Sequence, residues 1–398
     1  MSEHNPRTWL SAWTPEDAVF WETTGKTLAW KTLTITTLNL MMAFIVWFMV
    51  SALVVRLPNI GFKLSPTQLF WLAAMPGLAA GILRAIHTFL IPLYGTRHVV
   101  AFSTLSLLIP ALGWFFAIQD PNTPYWILLL LAFLAGLGGG NFSSFMPSTS
   151  LFFPKRLQGT ALAIQAGIGN FGVSVVQFVT PWIIGFALFG TLAGVSQTFV
   201  PTVPGAVTKP IWLQNAALVY IPFIVVFAIA AWVMLKSVPV RANFREQLDV
   251  FHYSNLHGFW MTSLYIMTFG SFSGFAATFP LMIKQLYTGL PGGPDPLTYA
   301  FLGPLVGAAA RVLAGPISDR LGGAIVTHWS GIGLLICAIG VTFYTHPTSM
   351  ESFPMFVGLM LGVFLFSGIG NASTFKQMPM IFEPRQAAGI IGWTSAMA

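Results

Sequence analysis

Two arginines, Arg84 and Arg311, each lie inside a long apolar run. A guanidinium in hydrocarbon costs about 2.5–3.5 kcal/mol on insertion scales, so such a residue marks a functional site unless its head group reaches an interface. No acid accompanies either one. Glu3, Glu16, Asp17, Glu22, Asp120, Glu246, Asp249, Asp295, Asp319, Glu351 and Glu383 all fall in loops or at the ends of apolar runs. Two guanidinium forks without a carboxylate call for an external anion, and their planar geometry suits a small oxyanion. The same absence removes the usual intramembrane acid of proton coupling. That leaves His87, three residues from Arg84 and on the same helical face, as a possible donor or relay; polar packing is the plainer role for its ring. No catalytic group, metal cluster or cofactor motif stands out.

The elements that must hold these groups follow from composition. Of the 398 residues, 55% are hydrophobic and 7% are charged, against about a quarter charged in soluble domains. A soluble enzyme, a secreted domain and a disordered chain are excluded, and a polytopic, all-α membrane protein is expected. With about 20 apolar residues per crossing, spans are expected near 33–56, 67–93, 99–118, 125–147, 159–189, 213–235, 257–283, 297–317, 323–344, 354–375 and from 386 onward. The first 31 residues hold four acids and no secretory signal, and read as a solvated segment. The single cysteine, Cys337, lies in an apolar run and has no intramolecular partner. The net charge of +7 does not point to nucleic acid, because the basic residues flank the apolar runs. With the N-terminus inside, twelve Lys and Arg fall on the inner side, while the outer side holds Arg56, Lys63, Lys209 and Lys284. A plasma (inner) membrane protein with a cytoplasmic N-terminus is expected.

The chain also repeats itself. Gly140-Asn141-Phe142-Ser143-Ser144-Phe145 returns as Gly370-Asn371-Ala372-Ser373-Thr374-Phe375, displaced by 230; Phe153-Pro154-Lys155-Arg156 returns as Phe382-Glu383-Pro384-Arg385, displaced by 229. Arg84 with Gly95 returns as Arg311 with Gly322, displaced by 227. Matches at nearly one offset, six spans apart, predict two pseudo-two-fold related six-helix halves of the same orientation, the major facilitator architecture. The expected organisation is an N-terminal segment 1–32, a first half 33–235, an inter-half loop 236–256 and a second half 257–398 that is truncated in helix 11. A complete copy would run on for roughly 65 residues more.

Glycines crowd the fourth and fifth spans, where small residues admit close helix approach or let a backbone amide or Asn170 reach a ligand. Gly315-x-x-x-Asp319-Arg320-x-Gly322, expected in the loop after the eighth span, reads as a gating hinge, and Lys376 as a basic flank. Over essentially its whole length the sequence resembles the nitrate/nitrite porter family of the major facilitator superfamily. The matches are Trp13-x-Pro15-Glu16-Asp17-x-x-Phe20-Trp21, Leu83-Arg84, Gly140-Asn141-Phe142, Ala166-Gly167-Ile168-Gly169-Asn170-Phe171-Gly172, Tyr265 with Phe269, and Ala310-Arg311 running to Asp319-Arg320-Leu321-Gly322-Gly323. The second family signature, expected in the eleventh span, is cut off after Gly389-Ile390-Ile391-Gly392-Trp393, and the loop before it is short. The resemblance implies that Arg84 and Arg311 hold a planar anion, that Asn170 adds a polar contact beside Gly167 and Gly169, and that Phe142, Tyr265 and Phe269 wall the site. It implies a non-enzymatic, monomeric carrier in the lipid bilayer that exchanges nitrate for nitrite without a cofactor. Proton–nitrate symport through His87 is the runner-up; a non-transporting anion sensor and a respiratory membrane subunit belong to other classes.

Overall fold

A computed structural model of the protein describes residues 8–202, 207–239, 256–382 and 386–398. Among these, ten helices are long and apolar enough to cross a membrane: α1 (Ala18–Val54), α2 (Pro66–His87), α3 (Leu90–Ala117), α4 (Tyr125–Phe152), α5 (Lys155–Ile183), α6 (Asn215–Met234), α7 (Leu256–Thr288), α8 (Pro296–Leu321), α9 (Gly323–Thr342) and α10 (Met350–Met378). The shorter α11 (Ala387–Met397) follows. Large apolar side chains such as Trp126, Trp182, Phe259 and Trp329 point out of the bundle, the surface that a hydrocarbon solvent permits. Most of the inter-half loop, and Glu383-Pro384-Arg385 of the second repeat, lie outside the described residues.

Local chemistry sets the helix starts. Ser65 and Gln68 form a capping box around Pro66 at the head of α2, and Asp295 caps the Leu297 amide before Pro296 at the head of α8. Both pair a side-chain acceptor with a proline whose missing N–H costs nothing in a first turn. Within the stretch assigned to α3 the backbone turns at Gly95, with φ 74° and ψ 162°, which is where the sequence separates the second and third spans. Gly322, 227 positions later, has φ 89° and ψ 134° between α8 and α9. This backbone region is essentially reserved for glycine.

Three features depart from the sequence expectation. The N-terminal segment docks instead of standing in solvent: Leu10 N donates to Ser237 O at 2.9 Å, Trp13 Nε1 to Leu151 O at 3.0 Å, and Lys155 N to the Glu16 carboxylate at 2.9 Å. Trp21, buried, packs on Phe153. The loop between α5 and α6 folds into a hairpin of β1 (Gln197–Phe199) and β2 (Lys209–Ile211), antiparallel, tied to the far end of α1 by Asn59 Nδ2 to Val200 O at 2.8 Å. Asp319 and Arg320 are helical, in the last turn of α8. An acid at a helix C-terminus opposes the macrodipole, and Asp319 is ion-paired with Lys376 of α10, so that lysine is a partner and not simply a flank.

At both turn glycines the backbone disfavours any side chain, but their surroundings differ. A Cβ on Gly95 would collide with Ser237 and Trp9, whereas one on Gly322 meets nothing within 4 Å. Gly322→Ala should lower stability by about 1–3 kcal/mol from backbone strain alone, and Gly95→Ala by clearly more. Thermal unfolding of the two variants in detergent checks the order.

Candidate functional site

The α4 glycine run brings three helices together. A Cβ on Gly138 would strike the Ala43 carbonyl of α1, and one on Gly139 would strike Ala80 of α2. At this spacing the Gly139 carbonyl accepts from Arg84 Nε at 2.9 Å. Arg84 Nη1 donates to Ser395 O of α11 at 2.5 Å, and Nη2 is buried without a protein acceptor. Arg84 is 1% exposed and Arg311 2% exposed, and Arg311 Nη1 likewise has no acceptor. Neither side chain snorkels.

One ring is shared by the two charges. The Phe142 centroid is 5.3 Å from the guanidinium carbon of Arg84 and 5.8 Å from that of Arg311. Arg84 also lies 4.8 Å from Phe269 and 5.1 Å from Trp47, and Arg311 lies 5.7 Å from Phe375. Such contacts are worth about 0.5–2 kcal/mol each, more when desolvated. Phe269 stacks on Phe142 at 6.0 Å and 24°, and Tyr265 on Phe269 at 5.3 Å and 7°. The stack depends on a π-helical turn, Ile266–Gly270, which widens α7 where these rings leave it. The Tyr265 phenol lies within electrostatic reach of both guanidiniums. Arg84, Arg311, Phe142, Tyr265 and Phe269 therefore form one cluster.

The other sequence candidates lie elsewhere or stand apart. Asn170 is fully buried with neither amide atom partnered, and among the described residues no direct bond joins it to either arginine. Gly167 faces Val312 on the α5–α8 seam and Gly169 faces Leu40 on the α1–α5 seam. His87 is buried and bonds Ser144 Oγ through Nδ1 at 3.0 Å. Asp319 and Arg320 lie at the end of α8, with the Asp319–Lys376 pair confined to the later spans. Three fully buried carboxamides carried no sequence assignment: Asn141, Asn371 and Gln165 have both amide atoms unpartnered. The displaced Gly-Asn repeat was the signal for the first two. Trp47 and Phe375 were missed because single aromatics in apolar runs carry no mark.

No Asp or Glu is buried among the described residues, and none of their His, Cys, Asp and Glu side chains group to hold a metal ion. A buried cation with an unfilled donor is costly unless something supplies the acceptor. Two such cations facing one aromatic stack leave donors that a small anion could fill.

An all-helical bundle around such a site defines a membrane carrier, and the sequence matches the Major Facilitator Superfamily over residues 33–398. A solved structure of a bacterial homologue of the human lysosomal transporter Spinster, inward-facing and unoccupied, shares the fold with TM-score 0.61 at 18% identity, over 94% of this chain and 80% of that one. The probable nitrate/nitrite antiporter NarK2 of Thermus thermophilus is 68% identical over 98% of this chain and 87% of its own length. The nitrate/nitrite transporter NarU of Escherichia coli K12 is 40% identical over 96% and 80%. The chain belongs to the nitrate/nitrite porter family of that superfamily.

The close approach at Gly138 is with backbone, which cannot swing aside. Gly138→Ala should separate α4 from α1, displace the Arg84 acceptor and cost about 1–3 kcal/mol. Gly274→Ala on α7, where a Cβ meets nothing within 4 Å, should be neutral or slightly stabilising. Thermal unfolding of both variants tests the contrast.

Proposed function

We propose that the chain moves nitrate and nitrite across the plasma membrane by alternating access, as a monomer, taking nitrate inward in exchange for nitrite. The N-terminal segment and the ends of α8 and α10 then face the cytoplasm, in accord with the lysine and arginine distribution. No catalytic step is assigned to it. The observation that carries the reading is the pair of buried guanidiniums around Phe142, each with an unfilled donor and, among the described residues, without a buried acid.

A flat anion between the guanidiniums supplies acceptors that the protein lacks, and its charge offsets their mutual repulsion. The occupied carrier passes readily between inward and outward forms. The empty carrier keeps two like charges in a low-dielectric interior, so its return is slow and exchange is favoured over net flux. Asn170, Asn141 and Asn371 offer further neutral donors along the same interior. His87, held by Ser144 and outside the aromatic cluster, is not needed for this cycle.

Nitrate uptake into proteoliposomes should require internal nitrite and ignore an imposed proton gradient. Uptake into empty vesicles driven by the gradient would instead establish symport and turn attention to His87. Arg84→Lys keeps the charge and loses the fork, and should lower exchange by roughly 10–100-fold, the worth of a charge-assisted hydrogen bond. Near-normal exchange by this variant would remove the guanidinium pair from the mechanism.

A further inference from the structure

A second ionic cluster closes the opposite end of the bundle, where α1 and α7 end and α8 begins. Arg56 Nη2 holds both oxygens of Asp295, at 2.7 and 2.6 Å. Lys284 Nζ donates to the Val55 carbonyl and to Asn59 Oδ1, the latter at 2.6 Å. Each link crosses from the first six spans to the later ones. Asn59 also carries the β-hairpin, whose Phe199 lies 5.3 Å from the Arg56 guanidinium carbon.

Basic side chains outnumber the carboxylate in this cluster two to one, and Arg56 Nε is buried without an acceptor. The fork is thus half used: one amino group serves the whole carboxylate, Nε is enclosed, and Arg56 and Asp295 both line a cavity of about 190 Å³, room for several water-sized molecules. Exposure is also uneven, 7% for the Arg56 side chain against 44% for Asp295. The arginine is fixed, and the carboxylate can leave for solvent.

We propose that Arg56 and Lys284 form an outer oxyanion station at which an arriving nitrate or nitrite displaces Asp295 and thereby unlatches the two sets of helices. This rests on the reading of the chain as an anion carrier. The anion completes the Arg56 fork through Nε and takes the place of the carboxylate. Asp295, released, no longer ties the head of α8 to the end of α1. Entry is then coupled to arrival, because the group that opens the mouth is the cargo itself.

The test uses Thr288→Cys in a Cys337→Ser background. Thr288 lines the cavity at 8% exposure, so a membrane-impermeant thiol reagent reaches it only when the mouth opens. Asp295→Asn is the informative latch variant, since asparagine caps a helix as well as aspartate and only the charge is lost. Millimolar nitrate should raise the labelling rate several-fold, and gluconate at equal ionic strength should not. The acceleration should survive Arg84→Gln, which disables the central site, and vanish with Arg56→Gln. Asp295→Asn should label fast with no anion present. Acceleration that disappears with Arg84→Gln, equal effects of nitrate and gluconate, or slow labelling of Asp295→Asn would each overturn the station. Absence of nitrate/nitrite exchange by the unmodified protein in vesicles would instead overturn the carrier reading, whatever the labelling shows.

Discussion

Arg84 and Arg311 carry two like charges into a region where water is scarce, and among the described residues no buried acid neutralises them. With the guanidinium carbons 5.3 and 5.8 Å from the Phe142 centroid, two unit charges so placed repel by at least roughly 1.4 kcal/mol at an effective dielectric of about 20, before the desolvation of either is counted. Everything near them bears on that cost. Backbone carbonyls of Gly139 and Ser395 take two of the Arg84 donors. Aromatic faces take much of the remaining field, with Phe142 turned to both cations. These groups are neutral, so they moderate the charge without cancelling it, and the site keeps its demand for an anion. A single aspartate in place of any of them would satisfy the arginines permanently and end that demand.

The packing follows from the same requirement. A carbonyl reaches Arg84 only because α4 lies against α1 and α2 without side chains between them, at Gly138 and Gly139. Gly167 and Gly169 do for the α5–α8 and α5–α1 seams what the α4 run does for its own. Small residues are the ordinary means of helix association in lipid, where burying apolar surface yields no driving force. Here they also fix the distance between a fixed charge and its acceptors. The π turn of α7 adds the last adjustment by placing Tyr265 and Phe269 in a nearly parallel stack.

Much of this was legible in the sequence, for reasons that differ by residue. Charged groups in apolar runs are conspicuous, so Arg84 and Arg311 could be picked out directly. The family resemblance brought in Phe142, Tyr265 and Phe269, which the structure gathers around them. Apolar runs of membrane-crossing length marked the long helices, and the break at Gly95 fell between the second and third spans as expected. What was not legible depends on contact between distant segments. Asp319 read as a loop acid because a helix does not ordinarily end on one; only Lys376 on α10 explains it. The N-terminal segment read as solvated because its tryptophans gave no hint of the α4–α5 turn that receives them. Arg56, Lys284 and Asp295 read as ordinary flanking charges, since nothing in three separate loops announces that they meet.

The ionic end of the bundle and its helix seams are held by different chemistry, and that difference bears on how a carrier can be both closed and responsive. At the end where α1 terminates, ionic and charge-assisted bonds cross between the two sets of helices, through Arg56–Asp295 and Lys284–Asn59. Along the seams, α5 meets α8 and α2 meets α11 through small residues and backbone, as at Gly167 and Gly81. Bonds to an exposed carboxylate can be exchanged for bonds to another oxyanion at little net cost, because the acceptor chemistry is the same. Packed glycine seams have no such substitute; they slide or separate as units. On the proposed reading an anion acts on the ionic end directly and on the seams only through the charges at the centre. The two clusters, on that reading, follow one rule at different depths: a guanidinium short of an acceptor stays in its present arrangement until an oxyanion supplies one.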